Sequence, residues 1–139
     1  MKKLLILTLV LFAIGFNACK KDKKTPAQLL KEQMTGKWIY DKYQSENFNA
    51  QGNSLGAPTV YDYDDLIAYV EFKSDGTQVV TTNGQDINND TWEIIDGQSF
   101  KIGTYTEKVV NISASNFVYV EENVQPDGSK TVYTYTLKH

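Results

Sequence analysis

The sequence predicts an all-β fold, an antiparallel up-and-down barrel of about eight strands preceded by one short helix. Three observations predict it. From Gly36 onward, large apolar residues recur at every second position, which is the period of a half-buried strand. Turn dipeptides punctuate these runs at Asp75-Gly76, Asn83-Gly84, Asp96-Gly97 and Asp127-Gly128, and each supplies a residue that tolerates positive φ. Tyr occurs nine times and aromatic residues make up 12% of the chain, a composition that suits strands. Strands joined in succession by short turns form a meander, and closing a meander into a barrel removes its bare edges.

In chain order, residues 1–18 have the three parts of a secretory signal. Lys2 and Lys3 form a positive start. Leu4 to Phe16 is a run of 13 residues, apolar except for Thr8 and Gly15. It is shorter than the roughly 18 to 20 residues that span a bilayer, which argues against a permanent transmembrane helix. Phe16-Asn17-Ala18-Cys19 resembles the bacterial lipobox, with Ala18 and Cys19 matching and Phe16 standing where that motif usually has Leu. The resemblance implies diacylglycerol on the Cys19 thiol and a fatty acyl group on the new amino terminus. Two or more chains anchor stably, since each buried methylene contributes about 0.8 kcal/mol. Lys20, not Asp, follows the cysteine, and by the same resemblance this favours the outer membrane of the cell envelope. The stretch Lys20-Lys21-Asp22-Lys23-Lys24 reads as a solvated tether or as a segment resting on anionic headgroups. The domain boundaries are thus 1–18 for the signal, 19–34 for the lipidated tether and helix, and 35–139 for the barrel.

Thr25-Pro26-Ala27-Gln28 is a helix-start signature, with Thr25 as N-cap, Pro26 at the first helical position and Gln28 reaching back. Leu29, Leu30 and Met34 can share one side of a helix ending near Thr35-Gly36. Such a helix either plugs one end of the barrel or remains a flexible leash. The strands are expected at about 36–45, 67–74, 77–83, 89–96, 98–103, 106–113, 116–124 and 130–138, with a short extra one near 59–63. Their inward residues include Trp38 and Tyr40, Val70 and Phe72, Trp92 and Ile94, Phe100 and Ile102, Val110 and Ile112, Phe117 and Tyr119, and Tyr133, Tyr135 and Leu137. Glu46 to Leu66 breaks the rhythm, and long loops in compact domains are often functional or mobile.

Gly36-Lys37-Trp38 resembles the Gly-x-Trp that opens the first strand of lipocalins. Residues 25–139 as a whole are similar to the lipocalin-like domains of small bacterial envelope lipoproteins. Besides Gly-x-Trp, the shared features are Phe72-Lys73-Ser74-Asp75-Gly76-Thr77 as a hairpin and Trp92-Glu93-Ile94 as a later strand. The resemblance implies a calycin-type barrel in which Trp38 packs across the closed end. Lipocalins usually set an Arg from the last strand against that Trp. This chain contains no arginine, and Lys138 is the nearest substitute.

Charge and composition restrict the chemistry. Residues 19–34 hold five lysines against two acids, and residues 35–139 hold seven lysines against 15 acids. An acidic globule is repelled by nucleic acid and by anionic surfaces. Without arginine, bidentate phosphate clamps are absent. Cys19 is the only cysteine and His139 the only histidine, so neither an intrachain disulfide nor a Cys/His zinc site is available. His139 is expected to fray at the terminus, which leaves no held imidazole for nucleophilic catalysis. The reading is therefore non-enzymatic and needs no cofactor, while composition leaves a paired-carboxylate mechanism open. Asp62, Asp64 and Asp65 form the densest acid cluster. They are weak candidates for calcium, and a solvated acidic loop is the plainer reading.

The inward rings Trp38, Tyr40, Phe72, Trp92, Phe100, Phe117, Tyr119, Tyr133 and Tyr135 either fill the barrel or line a pocket in it. Buried tyrosine hydroxyls need partners, which Thr134 and Thr136, facing the other way, do not supply. The leading expectation is a lipid-anchored envelope protein that binds a small, largely apolar ligand inside the barrel. The alternative is a filled barrel that docks a protein or glycan through loop 46–66 or an outer face. A cavity above roughly 300 Å³ favours the first. Joint exposure of Tyr61, Tyr63 and Tyr69 favours the second.

Overall fold

The structure is a computed structural model that describes residues 23–63 and 68–139. The expected signal, Cys19, the first tether residues, Asp64 and Asp65 lie outside the described residues.

Helix α1, Pro26–Met34, begins as its sequence demands. The Thr25 side chain accepts from the Gln28 amide at 3.2 Å, and the Gln28 side chain accepts from the Thr25 amide at 2.8 Å. This reciprocal pair satisfies two amides that the first turn leaves bare. Leu30 and Met34 are buried one turn apart, whereas Leu29 is 47% exposed. The helix thus caps the barrel with a narrow stripe, not with all three apolar residues.

Nine strands follow, β1 (Gly36–Phe48), β2 (Thr59–Asp62), β3 (Ala68–Phe72), β4 (Thr77–Thr82) and β5 (Gln85–Ile94), then β6 (Ser99–Ile102), β7 (Tyr105–Ile112), β8 (Asn116–Val124) and β9 (Lys130–Lys138). Each pairs antiparallel with its neighbour, and β9 pairs with β1 to close the sheet. Strands β2 and β3 lie along the same edge of β1, opposite Lys42–Ser45 and Gly36–Ile39 respectively. They count as one stave, so the barrel is closed and eight-stranded. The hairpin dipeptide Asn83-Gly84 takes positive φ at both positions, 52° and 77°, and joins Thr82 to its register partner Gln85. Such a two-residue turn matches the twist of the strands it connects.

Three local departures from the sequence reading have physical causes. Strand β1 runs on to Phe48 because Glu46, Asn47 and Phe48 find partners in Val132, Thr131 and Lys130. The irregular stretch 46–66 thus begins as a strand end, and residues 49–58 connect it to β2. Val110 is 61% exposed, not inward. The β7–β8 register shifts between Val109 and Asn111, so one extra residue reverses the alternation. His139 does not fray. Its amide donates to the Ser115 carbonyl at 3.4 Å, and its ring lies 3.9 Å from that of Trp38.

The core sits at the helix end of the barrel. Trp38, Phe72, Phe100, Phe117, Met34 and Leu137 are fully buried. Phe72 meets Trp92, Phe100 and Phe117 edge-on at 5.4, 6.1 and 6.2 Å, the geometry that ring quadrupoles favour. Both buried indoles find acceptors, Trp38 at the Met34 carbonyl and Trp92 at the Lys73 carbonyl, each at 2.9 Å. Lys138 pairs with Asp41, and the His139 ring lies against the Trp38 indole.

Candidate functional site

At the opposite end the barrel is not solid. A cavity of about 180 Å³ lies inside it, walled by Tyr40, Tyr119 and Tyr135 and by Val80 and Ile102. Its polar lining is Gln78, Glu107 and Glu121, with the exposed Asn88 and Tyr105 at its rim. Each of these groups is placed by strand phase. Tyr119 and Glu121 lie two apart on β8, and their register partners are Val109 and Glu107 on β7. Tyr119 also faces Tyr135 on β9, and the two rings stack 4.8 Å apart.

A second bulge builds the tyrosine wall. The β1–β9 register shifts between Tyr40 and Lys42. Beyond it Tyr43, not the even-numbered residues, shares a face with Tyr135. The Tyr43 ring lies 5.3 Å from Tyr135, 5.9 Å from Tyr133 and 5.8 Å from Tyr61. Tyr63 stands 5.4 Å from Tyr40. The Tyr40 and Tyr119 hydroxyls interact with each other, so each partly answers the need created by burial. Desolvation pushes the Tyr40 phenol up to about 12 and also raises the Tyr119 and Tyr135 phenols well above the usual tyrosine range. All three are neutral near pH 7.

The carboxyl groups are the unusual feature. Glu107 and Gln78 are each only 2% exposed. Glu107 Oε2 and Gln78 Oε1 have no hydrogen-bond partner among the described residues. Burial, with the nearby Glu121 adding repulsion, pushes the Glu107 carboxyl up to about 8. Burial also raises Glu121. Glu107 therefore holds its proton at neutral pH, because burial disfavours the charged form. Unsatisfied buried acceptors cost roughly 1–3 kcal/mol each, and natural sequences rarely keep two together without a use for them.

Of the nine rings expected to line a pocket, the structure brings Tyr40, Tyr119 and Tyr135 to the cavity. Tyr133 stands beside them through Tyr43. Trp38, Phe72, Trp92, Phe100 and Phe117 fill the closed end instead. Gln78, Glu107, Glu121 and Tyr43 were not singled out by the sequence reading. Asp62 is on β2, where its carboxylate lies 3.8 Å from the Lys42 ammonium and faces away from the cavity residues. Tyr61 is 57% exposed, but Tyr63 is half-buried against Tyr40, and Tyr69 lies beneath the Lys37 ammonium at 3.2 Å. The three do not form one exposed patch.

A larger hollow of about 400 Å³ lies between α1 and β7, bordered by Pro26, Leu29, Leu30, Gln33, Gly97 and Val110. Its lining carries no titratable side chain, so the tyrosine-walled cavity is the better candidate. No protein-family model matches the chain, and no curated protein is significantly similar to it.

Proposed function

We propose that the protein is a lipid-anchored component of the bacterial cell envelope that holds a small ligand inside its barrel. One observation carries the reading: a half-filled barrel whose open end combines three tyrosine rings with two buried, unpartnered acceptor atoms. At about 180 Å³ the cavity falls short of the roughly 300 Å³ expected of a drug-sized site. It still exceeds the roughly 150 Å³ that suffices for a single aromatic ring. The ligand is therefore small, apolar where it meets Tyr40, Tyr119, Tyr135, Val80 and Ile102, and able to hydrogen-bond at one end. The reading includes membership of the lipocalin-like lipoproteins, supported by Gly36-Lys37-Trp38 entering β1 beneath a capping helix. It also includes anchoring through Cys19 and residence at the outer membrane, supported by the sequence of residues 1–20.

Two experiments test it. The full chain, extracted from its host in mild nonionic detergent, should show a small bound mass by native mass spectrometry that collisional activation releases. Only ligand-free protein, across mild conditions, would count against a resident ligand. Labelled palmitate should enter the wild-type chain and not the Cys19→Ala variant. Equal labelling of both would remove the lipid anchor from the reading.

The docking alternative keeps one specific support. Leu55, Val60 and Tyr61, in the stretch 46–66, are 64%, 45% and 57% exposed. Mutating Val60 and Tyr61 to Ser should leave ligand occupancy unchanged if the interior is the site.

A further inference from the structure

We infer that the barrel cavity selects a small organic cation, an ammonium with an apolar body, and that Glu107 and Gln78 receive its N–H groups. This rests on the reading of the cavity as a ligand site and names the chemistry that site would take.

Two acceptor atoms, Glu107 Oε2 and Gln78 Oε1, are buried and unpartnered. They belong to side chains only 2% exposed that border the same space. Glu121 adds a second carboxyl from the neighbouring strand, as the register partner of Glu107. No lysine lines the cavity. Lys108, next to Glu107 in sequence, points outward to Glu122 at 3.7 Å. A carboxylate ligand would enter beside two acids with no cation to meet it. A purely apolar ligand would leave both acceptors bare. An ammonium satisfies both acceptors and compensates the acids, and the tyrosine faces attract a cation through their quadrupoles.

The pH behaviour follows from the groups around Glu107. The side chains that share its cavity are Glu121 and Tyr119 from β8, Tyr40 from β1, Tyr135 from β9, Tyr105 from β7 itself, and Gln78 from β4. The only other acid among them is Glu121, and no base is present. In the empty barrel burial holds the Glu107 proton up to about pH 8. A cation placed against the carboxyl favours the charged form. Binding near neutral pH therefore expels the Glu107 proton to solvent, and affinity rises with pH until Glu107 is ionised in the free protein as well.

The test uses the full chain in nonionic detergent, titrated calorimetrically with benzylamine, benzyl alcohol and benzoate from about pH 6 to about pH 8.5, a range that brackets the Glu107 transition. Benzylamine stays an ammonium across this range. It should bind at least about tenfold tighter than benzyl alcohol at the upper pH, a difference of roughly 1.4 kcal/mol. The preference should shrink toward pH 6. Repeating the titration in buffers of different ionisation heat should reveal a proton released by the wild type. Glu107→Gln should lose both the preference and the released proton while still binding the alcohol. Equal binding of amine and alcohol with no proton release, or preference for benzoate, would overturn the inference and leave the cavity a ligand site. Failure of all three probes would overturn the ligand-site reading and this inference with it.

Discussion

At the scale of the single residue, Glu107 is a buried carboxyl with an unpartnered oxygen, and its effect on stability has a definite sign. Its folded-state carboxyl is raised from 4.5 to about 8, by burial first and by Glu121 second. Between those values the folded chain binds more protons than the unfolded one, so stability falls as pH rises. The stabilisation from the neutral carboxyl is fully present below about pH 4.5 and lost by the time pH passes about 8. The slope cannot exceed roughly 1.4 kcal/mol per pH unit for one group. Glu107→Gln keeps the shape and removes the titration. Urea unfolding should find the variant about as stable as wild type near pH 5 and more stable above pH 8. A variant less stable than wild type at both pH values would mean that the carboxyl has a partner it cannot do without.

At the scale of the element, the sequence reading succeeded where alternation runs unbroken and failed where one residue interrupts it. Trp38 and Tyr40, Trp92 and Ile94, and Phe117 and Tyr119 face inward as their period predicts. Four turn dipeptides fall between strands as their chemistry predicts. The bulge at Asp41 then moves the inward phase of β1 from even to odd residues, which hides Tyr43. The bulge near Val110 does the same on β7. Reading back from Ile112 in steps of two puts Lys108 inside and Glu107 outside, the reverse of the structure. Gln78 was illegible for another reason, because Gln78-Val79-Val80 carries no clear alternation. Glu107 in the cavity and Tyr43 beside it are thus re-aimed by bulges, and single-sequence periodicity carries no mark of a bulge.

The same scale yields a prediction about how α1 is seated. Gly97, in the β5–β6 turn, lies so close to the helix that a Cβ there would fall 2.5 Å from Pro26 Cβ. The neighbouring Asp96 carboxylate holds the turn by accepting from the Gln98 amide at 2.7 Å, so the turn itself has little freedom to yield. Gly97→Ala must push the first turn of α1 outward and loosen Leu30 and Met34 from Trp38. Overpacking of this kind costs roughly 1–3 kcal/mol, and thermal unfolding should show a loss in that range. An unchanged melting temperature would mean that α1 does not rest against this turn.

At the scale of the whole molecule, one strand holds the barrel shut. β9 pairs with β8 from Asn116–Lys138 through Val124–Lys130 and with β1 from Ile39–Lys138 through Phe48–Lys130. It also brings Leu137 into the core, Tyr135 into the cavity wall and His139 over Trp38. Removing residues 130–139 therefore does more than delete apolar area. It bares the facing edges of β1 and β8 together, and two long unpaired edges invite pairing between chains. The truncated chain should lose its cooperative unfolding transition and sediment as aggregates, while the intact chain unfolds in one step. Because the lost element is extended, short and paired on both edges, a synthetic peptide of residues 130–139 added during refolding should insert between β8 and β1 and restore a sharp transition. A scrambled peptide of the same composition should not, since only the native order puts Tyr135 and Leu137 on the inner face. If the truncated chain stays monomeric and melts cooperatively by itself, closure through β9 is not what gives this sheet its stability.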